Sequence, residues 1–139
     1  IPAARYKTKR ANVVPLPEVA SAIIAGLPKV GDFLFTTSGT TPFSGFSKAK
    51  AWLDEKSGVT NWRLHDIRRT SRTLMVRAGV RPDIAERVLG HAIPGVAGIY
   101  DRHDYIEEKR SALKALAIEL DRIARGQLRS NVVQLAKRR

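Results

Sequence analysis

Apolar positions in the first half of the chain recur at helical spacing in two segments. The first, residues 17–27, opens with Pro17 and Glu18, which are typical of a first helical turn, and predicts a core helix of about ten residues. The second, residues 46–56, predicts a helix that Gly58 would end. Between them, the apolar run 33–35 predicts a brief strand or buried turn before a loop.

The second half of the chain predicts three more helices and a short helical segment. Residues 66–78 have Gly79 at the C-cap and Ile67, Leu74 and Ala78 on the buried side. A short helix starts at Pro82 and ends at Gly90, and a helical segment follows Gly95. The last helix would run from an N-cap at Asp104 to about residue 124. Its predicted apolar stripe comprises Ile106, Leu113, Leu116, Ala117, Leu120 and Ile123.

Residues 1–16 differ from the rest, because their pattern predicts a small β-hairpin. Val13 and Val14 favour a strand, and Pro2 and Pro15 bound the unit. Its tip would carry four basic side chains that suit a phosphate backbone, and an exposed edge kept soluble by lysines explains them equally well. These are Arg5, Lys7, Lys9 and Arg10. The predicted fold class is therefore mostly α with a small N-terminal β-hairpin, an α+β fold.

The net charge of the chain gives information about its binding partner. The 139 residues contain 25 Lys and Arg against 13 Asp and Glu, a net charge of +12. The excess is concentrated at the two ends, which suggests a polyanionic partner, most commonly nucleic acid. A solvated basic face with a disordered tail over residues 125–139 is the plainer explanation. The chain has no cysteine, which excludes disulfides, and no apolar run long enough for a bilayer.

Residues 64–100 contain the groups needed to attack a phosphodiester. His65 and Arg68 are three residues apart on one predicted helix face, His91 follows Leu-Gly, and Tyr100 comes nine residues later. Arginine binds two phosphate oxygens at once, a histidine accepts a proton near neutral pH, and a tyrosine hydroxyl can act as the nucleophile. Lys7 is a candidate for the acid that protonates the leaving sugar oxygen.

Each of these residues also has a simpler structural explanation. His65 alone could be an ordinary histidine at a helix start, and the turn before His91 could be only a helix stop. Tyr100 could be a half-buried core residue, and Tyr105 competes with it as nucleophile. Other chemistries fit less well, because no HExxH spacing predicts zinc and no Walker-type loop predicts nucleotide hydrolysis.

The combination of motifs resembles the tyrosine recombinases, the phage integrase family. LHDIRRT, LGH and GIYDRHDY carry the resemblance, together with IPAARYKTKRANVVPL, and it extends from residue 1 to about residue 124. It implies the catalytic-domain fold of DNA breaking-rejoining enzymes. Tyr100 would be the nucleophile that forms a 3′-phosphotyrosine, and Lys7 the acid. Arg68 would clamp the phosphate, with His65 and His91 as proton-transfer and phosphate-binding groups.

The resemblance also implies partners and surroundings. The partner would be double-stranded DNA, bound by a homotetramer without a membrane, a metal or another cofactor. The protein would be cytoplasmic, nucleoid-associated when bound to DNA, and encoded by a bacterium, phage or other mobile element. The predicted DNA-binding residues are Arg5, Lys9, Arg10, Arg69 and Arg72.

One departure from the family pattern limits the expected activity. The family has a further catalytic arginine upstream and an N-terminal DNA-clamping domain, and neither maps onto this chain. Residues 1–124 are therefore expected to be the C-terminal part of a catalytic domain, with weak or no cleavage by themselves. The alternatives are a non-catalytic DNA-binding module, a type IB topoisomerase, and an oligomerisation element formed by the last helix and the tail.

Overall fold

The computed structural model describes residues 1–6, 9, 11–91, 95 and 103–127, and the regular structure in these ranges is helical. A 3-10 turn spans Ala3–Arg5. Five α-helices follow in these ranges: α1 Glu18–Ala25, α2 Phe46–Ser57, α3 Leu64–Arg77, α4 Pro82–Val88 and α5 Ile106–Ala124. No helix in the described ranges is both long and apolar enough to cross a membrane. The segment predicted after Gly95 lies outside the described residues.

The predicted N-terminal β-hairpin is wrong, because the described residues contain no strand. Within the described part of this segment, Ile1 and Asn12 pair through their main chains. The Ile1 amino group donates to the Asn12 carbonyl at 2.8 Å, and the Asn12 amide donates back to the Ile1 carbonyl at 2.9 Å. This pair does not continue into a ladder, since Pro2 and Pro15 have no N–H to donate and the Val13 carbonyl bonds a lysine instead. The described chain is therefore all α and not α+β.

The core is formed where α3, α4 and α5 pack together. Leu74 of α3 is buried as predicted, whereas Ile67, which was also predicted on the buried side, is 54% exposed. Leu74 and Met75 come from α3, Ile84 and Ala85 from α4, and Leu116 from α5. Met75 and Ala85 have no exposed surface. The core is small, so the positions of these three helices depend on few side chains.

Helices α1 and α2 lie where the sequence predicts them but contribute no buried side chain. Ile23 on the apolar face of α1 is 64% exposed, and Trp52 on α2 is 58% exposed. The run 33–35 is exposed and is not a strand. An amphipathic pattern identifies which face of a helix is apolar, but does not show that another element covers it.

The buried face of α5 also differs from the predicted stripe, because it includes charges. Lys109 and Glu119 are buried there, whereas Leu120 is 48% exposed. Glu119 accepts from Arg122 at 3.0 Å and lies 3.4 Å from Arg77 near the end of α3. A buried charge is stable only when it is paired, and these two arginines satisfy Glu119. The helix begins after Tyr105, whose φ is 51°, and not after Asp104.

Candidate active site

The first turn of α3 carries two of the predicted catalytic residues. The helix starts because the Asp66 carboxylate accepts a hydrogen bond at 2.9 Å from the amide of Arg63, the residue before the first turn. This places the start at Leu64, two residues earlier than predicted. The His65 side chain is exposed there and makes no hydrogen bond to another described residue, whereas Arg68, one turn later, is partly buried.

Helix α4 ends in a glycine-based stop that positions His91. The His91 amide donates to the Glu86 carbonyl and the Gly90 amide to the Arg87 carbonyl, both at 3.0 Å. These two bonds form the Schellman arrangement, which requires a left-handed residue, and Gly90 has a φ of 69°. The Leu89–Gly90–His91 sequence is therefore a helix stop, as its simplest explanation predicts.

The same turn is where α3 meets α4 through Arg68. The Arg68 Nη2 donates to the Leu89 carbonyl oxygen, which has no partner within its own helix. A cationic group at the C-terminal end of a helix is also favoured by the helix dipole. The LHDIRRT and LGH motifs are thus in direct contact, because Arg68 bonds the carbonyl of Leu89, which lies two residues before His91.

Glu86 links two further residues of this cluster. Its carboxylate accepts from Arg72 Nε at 2.5 Å and is hydrogen-bonded to His91 Nδ1. Two hydrogen bonds hold the pKa of Glu86 below its ordinary value. The bond with His91 has the larger effect, and the bond from Arg72 has the second largest. Arg72, predicted to bind DNA, therefore has one N–H engaged inside the cluster.

Tyr6 brings the N-terminal segment to the same turn. Its hydroxyl donates to the Gly90 carbonyl at 3.3 Å and lies 3.5 Å from the Leu89 carbonyl, while the Asn12 amide donates to it at 3.5 Å. Sequence reasoning missed Tyr6, and its only signal was its place next to Lys7. Lys7, the residue that follows Tyr6 in the sequence, lies outside the described residues.

Lys109 provides a second anchor for the N-terminal segment. Its Nζ donates to the Val13 carbonyl at 2.9 Å, and the side chain is 7% exposed. Burial lowers the pKa of Lys109, and this effect is larger than the increase in pKa caused by the nearby charge of Asp104. The segment is therefore held at two points, by Tyr6 on the α4 stop and by Lys109 on α5.

The structure brings together some of the predicted site residues and not others. Arg68, Arg72 and His91 meet at the end of α4, and His65 lies one turn before Arg68. The predicted DNA-binding residues Arg5, Lys9 and Arg69 are exposed. Tyr100 and Arg10, like Lys7, lie outside the described residues.

Two other features bear on what the site could bind. In the described ranges, no group of three His, Cys, Asp or Glu side chains is close enough to hold a metal ion. An open groove of about 500 Å³ runs between the α3–α4 turn and α5, lined by residues that include Arg81, Glu107 and Glu108. None of its lining residues belongs to the Leu89–His91 cluster, so we do not assign it to the candidate active site.

Comparison with known proteins adds one relative. The chain is 29% identical over 126 residues to the prophage integrase IntA of Escherichia coli (strain K12). The match covers 82% of this chain and 29% of IntA, so the chain spans less than a third of that relative. No protein-family profile matches the chain. No solved structure matches it either. The similarity to IntA supports a relation to the integrases.

Proposed function

We propose that this chain is the C-terminal part of a tyrosine recombinase catalytic domain, which cuts and rejoins DNA through a 3′-phosphotyrosine. The observation that carries the proposal is the hydrogen bond from Arg68 to the Leu89 carbonyl, which joins two motifs 21 residues apart. The similarity to a prophage integrase supports it independently, and suggests a role in DNA integration or recombination.

Arg68 is the phosphate clamp in this proposal. One N–H of its guanidinium is used on Leu89, and the others remain for the non-bridging oxygens of the scissile phosphate. Because charge develops on those oxygens during attack, a fixed cation beside them lowers the barrier. His91, two residues from the carbonyl that holds Arg68, and His65 on the preceding turn of α3 add proton-transfer and hydrogen-bonding groups.

Tyr100 is the nucleophile in the proposed reaction. Its hydroxyl oxygen forms a bond to phosphorus while the bond to the 5′ oxygen breaks, and a histidine accepts the tyrosine proton. Lys7 gives a proton to the departing 5′ oxygen, and its neighbour Tyr6 bonds the turn that carries His91. Rejoining reverses these steps with a new 5′ hydroxyl, and the phosphotyrosine conserves the bond energy, so no nucleotide cofactor is required.

The proposed partner is double-stranded DNA, bound by a tetramer in the complete enzyme. The net charge of +12 supports a polyanion, and phosphate contacts would make binding fall steeply with salt. Arg5, Lys9, Arg10, Arg69 and Arg72 are the proposed backbone contacts. The 139-residue chain alone is proposed to cleave weakly or not at all, because the family uses a further arginine that maps to no residue here.

A covalent trapping assay tests the proposal. The longest protein that the gene encodes is incubated with nicked duplexes that span the junctions of the genetic element carrying the gene. The nick lets a short fragment diffuse away after cleavage, so a protein–DNA adduct accumulates. We expect an adduct with the wild type, none with Tyr100→Phe, and little with the 139-residue chain.

The matched control is Tyr105→Phe, which preserves the ring that packs 4.0 Å from the Arg87 guanidinium carbon. Its adduct yield should stay near that of the wild type. An adduct that survives Tyr100→Phe would refute the assignment of the nucleophile. Retained DNA binding without any adduct would favour the non-catalytic DNA-binding module, and relaxation of plasmids that lack these junction sequences would favour a type IB topoisomerase.

A further inference from the structure

The Glu86 side chain has a contact that the proposed function does not use. Its carboxylate is hydrogen-bonded to His91 Nδ1, on the ring of a residue that lies in the proposed active site. The His91 side chain is 47% exposed and that of Glu86 27%, so the histidine is the more exposed of the two.

The carboxylate is not required for the helix stop at this position. The main chain of His91 is already held by its amide bond to the Glu86 carbonyl, and Gly90 is held by its bond to the Arg87 carbonyl. Both bonds join main-chain groups and would form with any side chain at position 86. The side-chain contact therefore fixes the imidazole ring and not the fold of the turn.

Arg72 gives the carboxylate a defined position. Its Nε donates to Glu86 Oε1 at 2.5 Å, and the other carboxylate oxygen, Oε2, faces His91. Arg72 is on α3, four residues after Arg68, so the two arginines project from one face of the helix toward the end of α4. Arg68 holds the main chain of the turn, and Arg72 holds the carboxylate that contacts the ring.

We propose that Glu86 is the positioning residue for His91, an assignment that rests on the proposed function. An ionised carboxylate only accepts hydrogen bonds, so it selects the imidazole form with the proton on Nδ1. Nε2 then carries the lone pair of the ring, so it can accept a proton or, once protonated, donate to a phosphate oxygen. At metal-bound histidines, removing the carboxylate that orients the ring costs roughly ten- to a hundredfold in metal affinity or activity, and we expect a loss of similar size here.

Nitrogen NMR of the His91 ring tests the contact without requiring activity. With the 139-residue chain labelled with ¹⁵N, the two ring-nitrogen shifts show which nitrogen carries the proton. We expect the Nδ1–H form in the wild type and a shift toward the Nε2–H form in Glu86→Ala. Glu86→Gln should retain part of the Nδ1–H form, because the amide oxygen can still accept. An unchanged tautomer in Glu86→Ala would overturn the proposal.

Single-turnover cleavage of the nicked duplex tests the consequence in the longest encoded protein. Glu86→Ala should slow adduct formation roughly ten- to a hundredfold at saturating DNA, with little change in DNA affinity, and Glu86→Gln should be intermediate. Glu107→Ala is the control, because its carboxylate is exposed and pairs only with exposed Arg110 among the described residues. Equal rates for Glu86→Ala and the control would overturn the positioning role.

The two experiments separate this proposal from the proposed function. A wild-type protein that gives no adduct at all would refute the recombinase assignment, and the positioning role in that reaction would fail with it. An active wild type whose His91 tautomer does not depend on Glu86 would refute the positioning role alone.

Discussion

The Arg68 side chain of α3 is hydrogen-bonded to the main-chain oxygen of Leu89 at the end of α4. This contact gives one residue two uses. It satisfies a carbonyl that α4 leaves without a partner, and it fixes a guanidinium beside the turn that carries His91. Stability and proposed catalysis are therefore coupled at Arg68.

Replacing Arg68 by lysine should affect both properties. A lysine keeps the charge but lacks the planar fork that can bond Leu89 and a phosphate together. We expect the free energy of unfolding to fall by about 1–2 kcal/mol in urea titrations, and adduct formation by roughly a hundredfold or more. Arg110→Lys is the control, because Arg110 is exposed and its ion pair is with the exposed Glu107. Similar losses in both variants would argue against a special role for Arg68.

A comparison of two glycines tests the contact between Tyr6 and the α4 stop. Gly79 and Gly90 both have positive φ, 89° and 69°. A Cβ on Gly79 would meet no atom within 4 Å, whereas a Cβ on Gly90 would lie 1.7 Å from the Tyr6 hydroxyl oxygen. Gly79→Ala should therefore cost only the backbone strain, about 1–2 kcal/mol.

Gly90→Ala should cost clearly more than Gly79→Ala, because Tyr6 must move as well. In a double-mutant cycle, Tyr6→Phe should recover only part of the added loss, since the ring carbon Cζ would remain 2.8 Å from the new Cβ. The measurement is the free energy of unfolding of the two single variants and the double variant. Equal destabilisation by the two alanines would show that Tyr6 does not contact Gly90 in solution.

The sequence predicted the positions of the helices well, but it did not predict which elements and side chains contact one another. The stops at Gly79 and Gly90 and the helices α3 and α4 follow from local signals, namely Pro82 at a helix start and glycines after the last turns. The hairpin prediction failed because a strand at Val13 requires a neighbouring strand that donates an N–H to its carbonyl, and the Lys109 ammonium donates to that carbonyl instead.

The site shows the same division between local and distant signals. The spacing of His65 and Arg68 placed them on one helix face, but no pattern places Arg68 on the Leu89 carbonyl. Glu86 and Tyr6 were missed for that reason. Each joins the candidate site only through a contact made by the fold, Glu86 with His91 five residues away and Tyr6 with Gly90 84 residues away.

Lys109→Met should release the N-terminal segment while α3, α4 and α5 stay folded. The methionine fills similar space but leaves the Val13 carbonyl without its donor. In hydrogen–deuterium exchange, we expect faster exchange for amides of residues 11–16, including the Asn12 amide that bonds Ile1. Adduct formation should fall too, because Tyr6 and Lys7 belong to this segment. Exposed Lys114→Met is the control, and equal exchange in both variants would contradict the anchor.

Glu119→Gln should destabilise the contact between α3 and α5. The carboxylate is 2% exposed, and removing its charge leaves Arg122 and Arg77 without their anionic partner at this position. We expect a loss of roughly 1–3 kcal/mol in the free energy of unfolding. Asp121→Asn, which removes an exposed pair with Arg125, should change it by less than about 0.5 kcal/mol. The reverse order would contradict the buried ion pair.

The Glu86 carboxylate should make stability depend on pH in the acidic range. Hydrogen bonds from His91 and then Arg72 lower the pKa of Glu86 in the folded chain below its ordinary value of 4.5. In that case the unfolded chain binds the proton more strongly than the folded chain does. The stabilisation is therefore complete above the ordinary value and is lost as the pH falls through the lower, folded value.

The measurement is the difference in the free energy of unfolding between the wild type and Glu86→Gln, from urea titrations between about pH 3 and about pH 6. We expect the wild type to exceed the variant most near pH 6 and the difference to shrink toward acid. Glu107→Gln is the control, since its carboxylate is 78% exposed and its difference from the wild type should stay small. A difference for Glu86→Gln that does not change with pH would mean that the carboxylate has the same proton affinity folded and unfolded, and that His91 and Arg72 do not hold it in solution.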